Sequence, residues 1–428
     1  MRRFIGRLAV GVAAIGLSAG AMAADLSVWG LQAFNQQADA LIGELVVEYG
    51  KSKGIDAEYV VVPANVLNER LAAAFEAGTP PDAFMTTSQM GQYYASQSLT
   101  VPLEDVLADM RKVQGGIYEN MLPQGMYDGT LQALPFQVDV VPMFARRDLI
   151  EAVGGKLPET WEELREVSKK IQAANPMMQT LGLTLSNAND AEVQVRMLMW
   201  SFGGQMFAED GKTILFDSPE TRAAYAFLAD VFKNDRTIPR SALTWDDAGN
   251  NQAYQTRRAA FIINPPSTYQ WMRDNDQELL GFTSLINIPK GPGEKGRNGA
   301  TASSWVWIVA KQSEQQEAAK DWLRYFLEPA RYQKIIETVG GRWAPIYPAM
   351  MDIPLFKDTP AFAQFKDMAT SGIIDGYAGP PTALASEIFA AKIMTNVGQK
   401  ILVDNMPVDD AVAWGQAEME KIAARHKG

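Results

Sequence analysis

Residues Leu134–Lys170 read LPFQVDVVPMFARRDLIEAVGGKLPETWEELREVSKK. Val138–Phe144 is rich in β-branched and aromatic residues and predicts a strand. Pro142 cannot donate to a ladder, which confines that strand to a sheet edge or to a crossing between sheets. A Gly154-Gly155 turn follows. Thr160 and Glu163 then stand at capping-box spacing, and Trp161 and Leu164 open the apolar face of a helix.

Upstream, strands and helices alternate. Asp25–Gly30 predicts a strand, Gln36–Gly50 a helix with Leu41, Leu45 and Val46 inward, and Glu58–Pro63 a second, near-continuously apolar strand. Leu67–Phe75 is helical until Pro80-Pro81 stop it, and Ala83–Thr86 begins a third strand. This spacing predicts a parallel α/β sheet. Downstream come an apolar helix, Val193–Phe202, ended by Gly203-Gly204, a turn and strand over Ala208–Phe216, and a helix begun by Ser218-Pro219. Strands are expected at Arg258–Asn264 and Ser304–Ala310, the second followed by a helix capped from Ser313. Ile286–Arg297, rich in Gly, Pro and charge, is a candidate second crossing, and Gly340–Pro345 a third. The C-terminal segment beyond it is expected to be helical, its last helix starting near Pro407.

Pro135-Phe136, the polar strand Gln137–Val141, Asp148-Leu149 and Pro158–Leu164 occur in the order found at the first inter-lobe crossing of the bacterial extracellular solute-binding proteins of family 1. The chain resembles that family, the sugar-binding components of ABC importers, over essentially its whole mature length. The likeness is strongest at Gly78–Lys170, Trp200–Lys212 and Glu317–Pro345. It implies a type II periplasmic binding protein fold of class α/β, with two lobes, each a mostly parallel sheet flanked by helices. The lobes are expected to be discontinuous: 24–138 with 290–342, and 139–289 with 343–428.

The bulk properties agree. A chain of 428 residues exceeds one ordinary core. Arg2, Arg3 and Arg7, the apolar run Leu8–Leu17 and Ala21-Met22-Ala23 predict a secretory signal peptide over residues 1–23, with Arg2-Arg3 leaving a degenerate twin-arginine signal as the alternative. The 39 basic residues less these three are 36, which against 50 acidic residues makes the mature net charge −14. That balance argues against nucleic acid and anionic membrane as partners. There is no cysteine, so neither disulfides nor a lipid anchor are expected, and the mature chain is expected to be a soluble periplasmic monomer with no direct membrane insertion.

Catalytic inventory is thin. His426 is the only histidine, which removes histidine acid–base chemistry and, with no cysteine, His/Cys metal clusters. No phosphate loop occurs. A glycosidase needs only two carboxylates, and 50 acidic residues keep that open, but the expectation is a non-enzyme without metal or cofactor.

A sugar asks for amide, carboxylate or guanidinium groups around its edge and a flat aromatic against its C–H face. In open α/β sheets such groups gather beyond the carboxyl ends of strands. Gln32 and Asn35 follow the first strand, Asn65 the second and Gln89 the third. Gln137 and Asp139 lie on the first crossing, where the resemblance implies a polar residue and a sugar-binding Asp; a satisfied hinge carboxylate is the other reading of Asp139. Trp200 reads first as lobe packing. Asn264 ends a strand before Pro265-Pro266. Trp305 aligns with a tryptophan that the family stacks on sugar, or is simply a buried strand residue. Arg342 could clasp hydroxyls or an anion, or form an inter-lobe salt bridge. The resemblance implies a small carbohydrate or glycoside as ligand and membrane-embedded ABC permease subunits as partners. Alternatives are a sulfonated or phosphorylated sugar, a polyol or a polyamine. On this reading Asp139→Ala and Arg342→Ala abolish the ligand response and leave ligand-free melting nearly unchanged.

Overall fold

The computed structural model describes residues 24–426 apart from Asn65; the expected signal peptide and Asn65 lie outside the described residues. Its first strands are β1 (Leu26–Leu31), β2 (Ala57–Val62) and β3 (Ala83–Thr87), followed by a small hairpin of β4 (Met126–Tyr127) and β5 (Thr130–Leu131). The crossing region holds β6 (Leu134–Pro135), β7 (Gln137–Val140) and β8 (Met143–Arg146). Then come β9 (Leu181–Gly182), β10 (Phe261–Ile263), β11 (Thr283–Ile286), β12 (Ala302–Ser303), β13 (Trp305–Val309) and β14 (Ala344–Pro345).

These strands form two large sheets and a narrow one between them. The first lobe carries the order β2-β1-β3-β13-β6, and the second β11-β8-β10-β9. β2, β1 and β3 are parallel, as their helical crossovers require, whereas β13 runs antiparallel to both β3 and β6. In the second lobe only β9–β10 is parallel. Both sheets are therefore mixed, because β13 and β8 arrive directly from a crossing and not through a covering helix.

The predicted strand around Pro142 is two strands. β7 ends at Val140, β8 begins at Met143, and they belong to different sheets. β7 is the centre of a three-stranded antiparallel ribbon, β12-β7-β14, through which the chain passes three times. The second passage falls at Ala302–Ser303, after the Ile286–Arg297 loop and not within it, since Gly291 and Arg297 N–H groups still donate to the Ser201 carbonyl in the second lobe. Tyr332 ties the first and third passages together: its hydroxyl donates to the Phe136 carbonyl at 2.5 Å and accepts from Ile346 N–H at 2.9 Å.

Local signals mostly set the helices. Asn35 accepts from Gln37 and Ala38 N–H to start helix Gln36–Lys53, and Ser218 starts helix Pro219–Ala229. The expected strand Ala208–Phe216 shrinks to one bridge, Phe207–Ile214, because Asp210 accepts from Lys212 N–H, Thr213 N–H and the Thr213 hydroxyl and closes a tight turn. At helix Trp161–Ala174, Thr160 Oγ1 accepts from Glu163 N–H at 3.2 Å and Glu163 accepts from Thr160 N–H at 3.1 Å. Thr160→Ala is expected to cost about 1 kcal/mol in urea unfolding, an ordinary capping loss. No loss would mean that packing of Trp161 alone fixes this end.

The first-lobe core is aromatic. Phe136, Trp307, Trp322, Phe326 and Trp343 are all fully buried, with Phe136 in edge contact with Phe326 and Trp343 at centroid distances of 5.6 and 5.4 Å. Each buried ring contributes roughly 1.5–3 kcal/mol of transfer free energy. This packing holds the start of β7 rigidly, and β7 carries the floor of the cleft. No helix among the described residues is long and apolar enough to cross a membrane.

Candidate functional site

Between the two large sheets lies a cavity of about 630 Å³, lined from the first lobe, the second lobe and the ribbon. That volume is within the usual range of small-molecule sites. Its floor is an ion pair. Asp139, on β7, accepts from Arg342 Nη1, and both residues are buried. Gly340 and Gly341, at φ +65° and +87°, bring Arg342 there. A side chain at Gly341 would lie 2.3 Å from the Phe362 ring, so only glycine lets the backbone pass so close. The Arg342 guanidinium also lies 5.4 Å from the centroid of Trp305, which is held edge-on by Trp343 at 5.4 Å. Burial raises the Asp139 carboxyl above its ordinary pKa, and Arg342 opposes the rise.

One wall is helix Asn189–Ser201. Asn189, Val193, Arg196 and Trp200 follow the four-three-four spacing of a single helical face, and all line the cavity. Arg196 donates to Asp375, which also accepts from Gln89 Nε2, so this bridge joins the second lobe to helix Ser88–Ser96 of the first. Trp200 is 1% exposed and packs edge-on to Tyr377 as well as bordering the cavity. Next to this helix, Asp190 and the turn Asp246-Asp247 add three carboxylates. Asp190 N–H donates to Asp247 at 2.9 Å. Burial, and then the neighbouring Asp247, push the Asp190 carboxyl up to about 8.

Of the residues expected from sequence, Gln32, Gln89, Asp139, Trp200, Asn264, Trp305 and Arg342 come together at this cavity. Two do not. Asn35 spends its oxygen on the helix cap and donates its amide to the Thr338 carbonyl, so it has no group to offer. Gln137 is fully buried on β7 opposite Pro345, two residues deeper than Asp139, and its side chain finds no partner among the described residues. Asn264 is buried within a polar knot, accepting from Asn250 and reaching Ser267 and Thr268. Arg342 is held in a salt bridge, the second of its two readings, and its cavity face is the edge left over.

Sequence reasoning missed Phe34, Asp190, Arg196, the Asp246-Asp247 turn, Asp375 and Lys392. Phe34 is the clearest of these, being 53% exposed at the cavity edge with φ +57°, a region non-glycine residues seldom adopt. Its strain is held on both sides, by the Asn35 cap and by Ala33 N–H donating to Asp39 at 2.9 Å. The four-three-four polar and aromatic stripe beginning at Asn189 was the one signal available in the sequence.

Solved structures of the same architecture are numerous. A solute-binding protein of an ABC transporter from Thermotoga lettingae, bound with α-D-tagatose, superposes with a TM-score of 0.81 at 19% identity, covering 93% of this chain and 99% of that one. Maltose-bound MalE3 of T. maritima gives a TM-score of 0.79 at 21% identity, covering 93% and 99%. The architecture is thus the type II periplasmic binding protein fold. Among curated proteins, the maltotriose-binding protein of Pyrococcus abyssi is 22% identical over 72% of this chain and 64% of its own length, so the match spans just under two thirds of that relative. Residues 31–332 match a family as a whole, and by that match the chain belongs to the bacterial extracellular solute-binding proteins.

Proposed function

We propose that this protein binds a small carbohydrate, glycoside or polyol in the cleft and delivers it, in the periplasm, to the permease of an ABC importer. One observation carries the reading: a single cavity, lined by both lobes, sets aromatic rings of Phe34, Trp305 and Phe389 beside the polar ends of Gln32, Asn251 and Ser303. Rings meet C–H faces, and amides and hydroxyls meet a ring of hydroxyl groups. The sugars named in the relatives above support the same class.

Closure is part of the function. The Gln89–Asp375–Arg196 bridge crosses the cleft, and a ligand that touches both lobes favours this joined arrangement by its greater affinity for it. Anionic sugars fit less well, because both cavity guanidiniums are already paired to carboxylates.

A thermal-shift screen across sugars, polyols, sulfonates and polyamines tests the proposal. A cognate ligand at a hundred times its Kd adds about 2.7 kcal/mol. Trp305→Ala should weaken the response to that ligand by tenfold or more in Kd. An unaltered Kd would place the sugar elsewhere, and cleavage of a labelled oligosaccharide during incubation would replace binding by hydrolysis.

A further inference from the structure

The cavity's charges do not balance. Asp139 is matched by Arg342 and Asp375 by Arg196. Asp190, Asp246 and Asp247 line the same space, and none of them forms a salt bridge among the described residues. The remaining cavity cation, Lys392, donates to Asn189 Oδ1 at 2.5 Å and sits 4.1 Å from the Phe389 centroid. Burial lowers its pKa, and Glu192, fully buried behind the wall, opposes the drop most strongly. Lys392 therefore answers Glu192 as much as the cavity acids. At pH 7 the Asp190 carboxyl is largely protonated, so the uncompensated negative field on this wall comes from Asp246 and Asp247, in a space that also holds aromatic rings.

The same space holds aromatic faces: Phe34, 53% exposed at its edge, together with Trp305 and Phe389. Carboxylates beside aromatic rings are the chemistry that takes up an ammonium group.

We propose that the solute carries a protonated amine seated against Asp190, Asp246 and Asp247: an amino sugar, an amino polyol or a glycoside of either. This rests on the carbohydrate reading of the cleft and narrows it. The hydroxyl-matching groups, Gln32, Asn251 and Ser303, separate such a solute from a simple polyamine, which would leave them unmatched.

Matched pairs test it by calorimetry at pH 7: D-glucosamine with D-glucose, 1-amino-1-deoxysorbitol with sorbitol, and deacetylated chitobiose with cellobiose, together with N-acetyl-D-glucosamine and putrescine. The expected result is a tenfold or greater preference for the amine in at least one pair, with N-acetyl-D-glucosamine falling back to the neutral partner. In Asp247→Asn the ratio of the two affinities should fall toward one. Neutral members binding as tightly as the amines overturn the inference and leave the carbohydrate reading in place. Putrescine binding more tightly than every amino sugar overturns the inference too, in favour of a polyamine. If none of these compounds binds while another neutral sugar or polyol of the thermal-shift screen does, the inference is overturned and the carbohydrate reading stands.

Discussion

Asp139→Ala is expected to destabilise the ligand-free protein by about 3–5 kcal/mol, and Arg342→Ala by a similar amount, because each leaves the other charge buried without a partner. The pair is inaccessible on both sides, with side-chain exposures of 10% and 6%, and it joins the central ribbon strand to the third passage of the chain. Against a typical total of 5–15 kcal/mol, that loss is large. It reverses the expectation from sequence that ligand-free melting would hardly move, which followed from treating the two residues as ligand contacts alone. Removing both charges at once, as in Asp139→Leu with Arg342→Met, should recover most of the loss, since an apolar replacement of a buried pair is often neutral. Urea unfolding of the two single variants and the double variant checks this. Additive losses in the double variant would mean that the two side chains act independently.

The second large effect is on pH. Asp190 is held at about 8, far above an ordinary carboxyl, first by burial and then by Asp247. Between the unfolded value near 4 and the folded value near 8 the folded protein binds more protons than the unfolded chain, so stability declines as pH rises through that window. Four units correspond to roughly 5 kcal/mol at most; partial exposure of Asp190 to the cleft reduces this to about 3 kcal/mol. Asp190→Asn should therefore be more stable than the parent at pH 8, about equal to it at pH 4, and flat between them at this position. Urea midpoints across pH 4–9 give the comparison, and equal slopes for the two proteins would show that Asp190 ionises normally. The same group links to the amine proposal: an ammonium against Asp190 favours its ionised form, so binding at pH 7 should release close to one proton. Calorimetry in buffers of different ionisation enthalpy measures that release.

The two-lobe plan was legible because its signals are local. Pro142 interrupts a strand-forming run, and the interruption is where β7 leaves one sheet for another. Thr160 and Glu163 are three residues apart and cap the helix by direct contact. The cavity was legible where a strand end predicts it, as at Gln32, Gln89 and Asn264, and where the family resemblance marks it, as at Asp139 and Trp305. Asn35 had a competing local use, the N-cap of the helix beginning at Gln36, and that use wins. Gln137 and Asp139 share a face of β7, yet one step of two residues separates the aromatic core from the cleft. Asp375 and Lys392 lie 179 and 196 residues from Arg196, and no pattern of neighbours reveals that such distant segments meet. The Asp375 to Arg196 contact is a product of the third passage, which brings the C-terminal helices back over the second lobe.

The position of β13 has a bearing on how the chain is made. It lies between β3 and β6, so an interior strand of the first sheet is supplied by residues 305–309. A polypeptide emerging from its amino end has both flanking edges bare until more than two hundred further residues have appeared after β3. Contacts of such long range slow folding and leave open strand edges exposed to pairing with other chains.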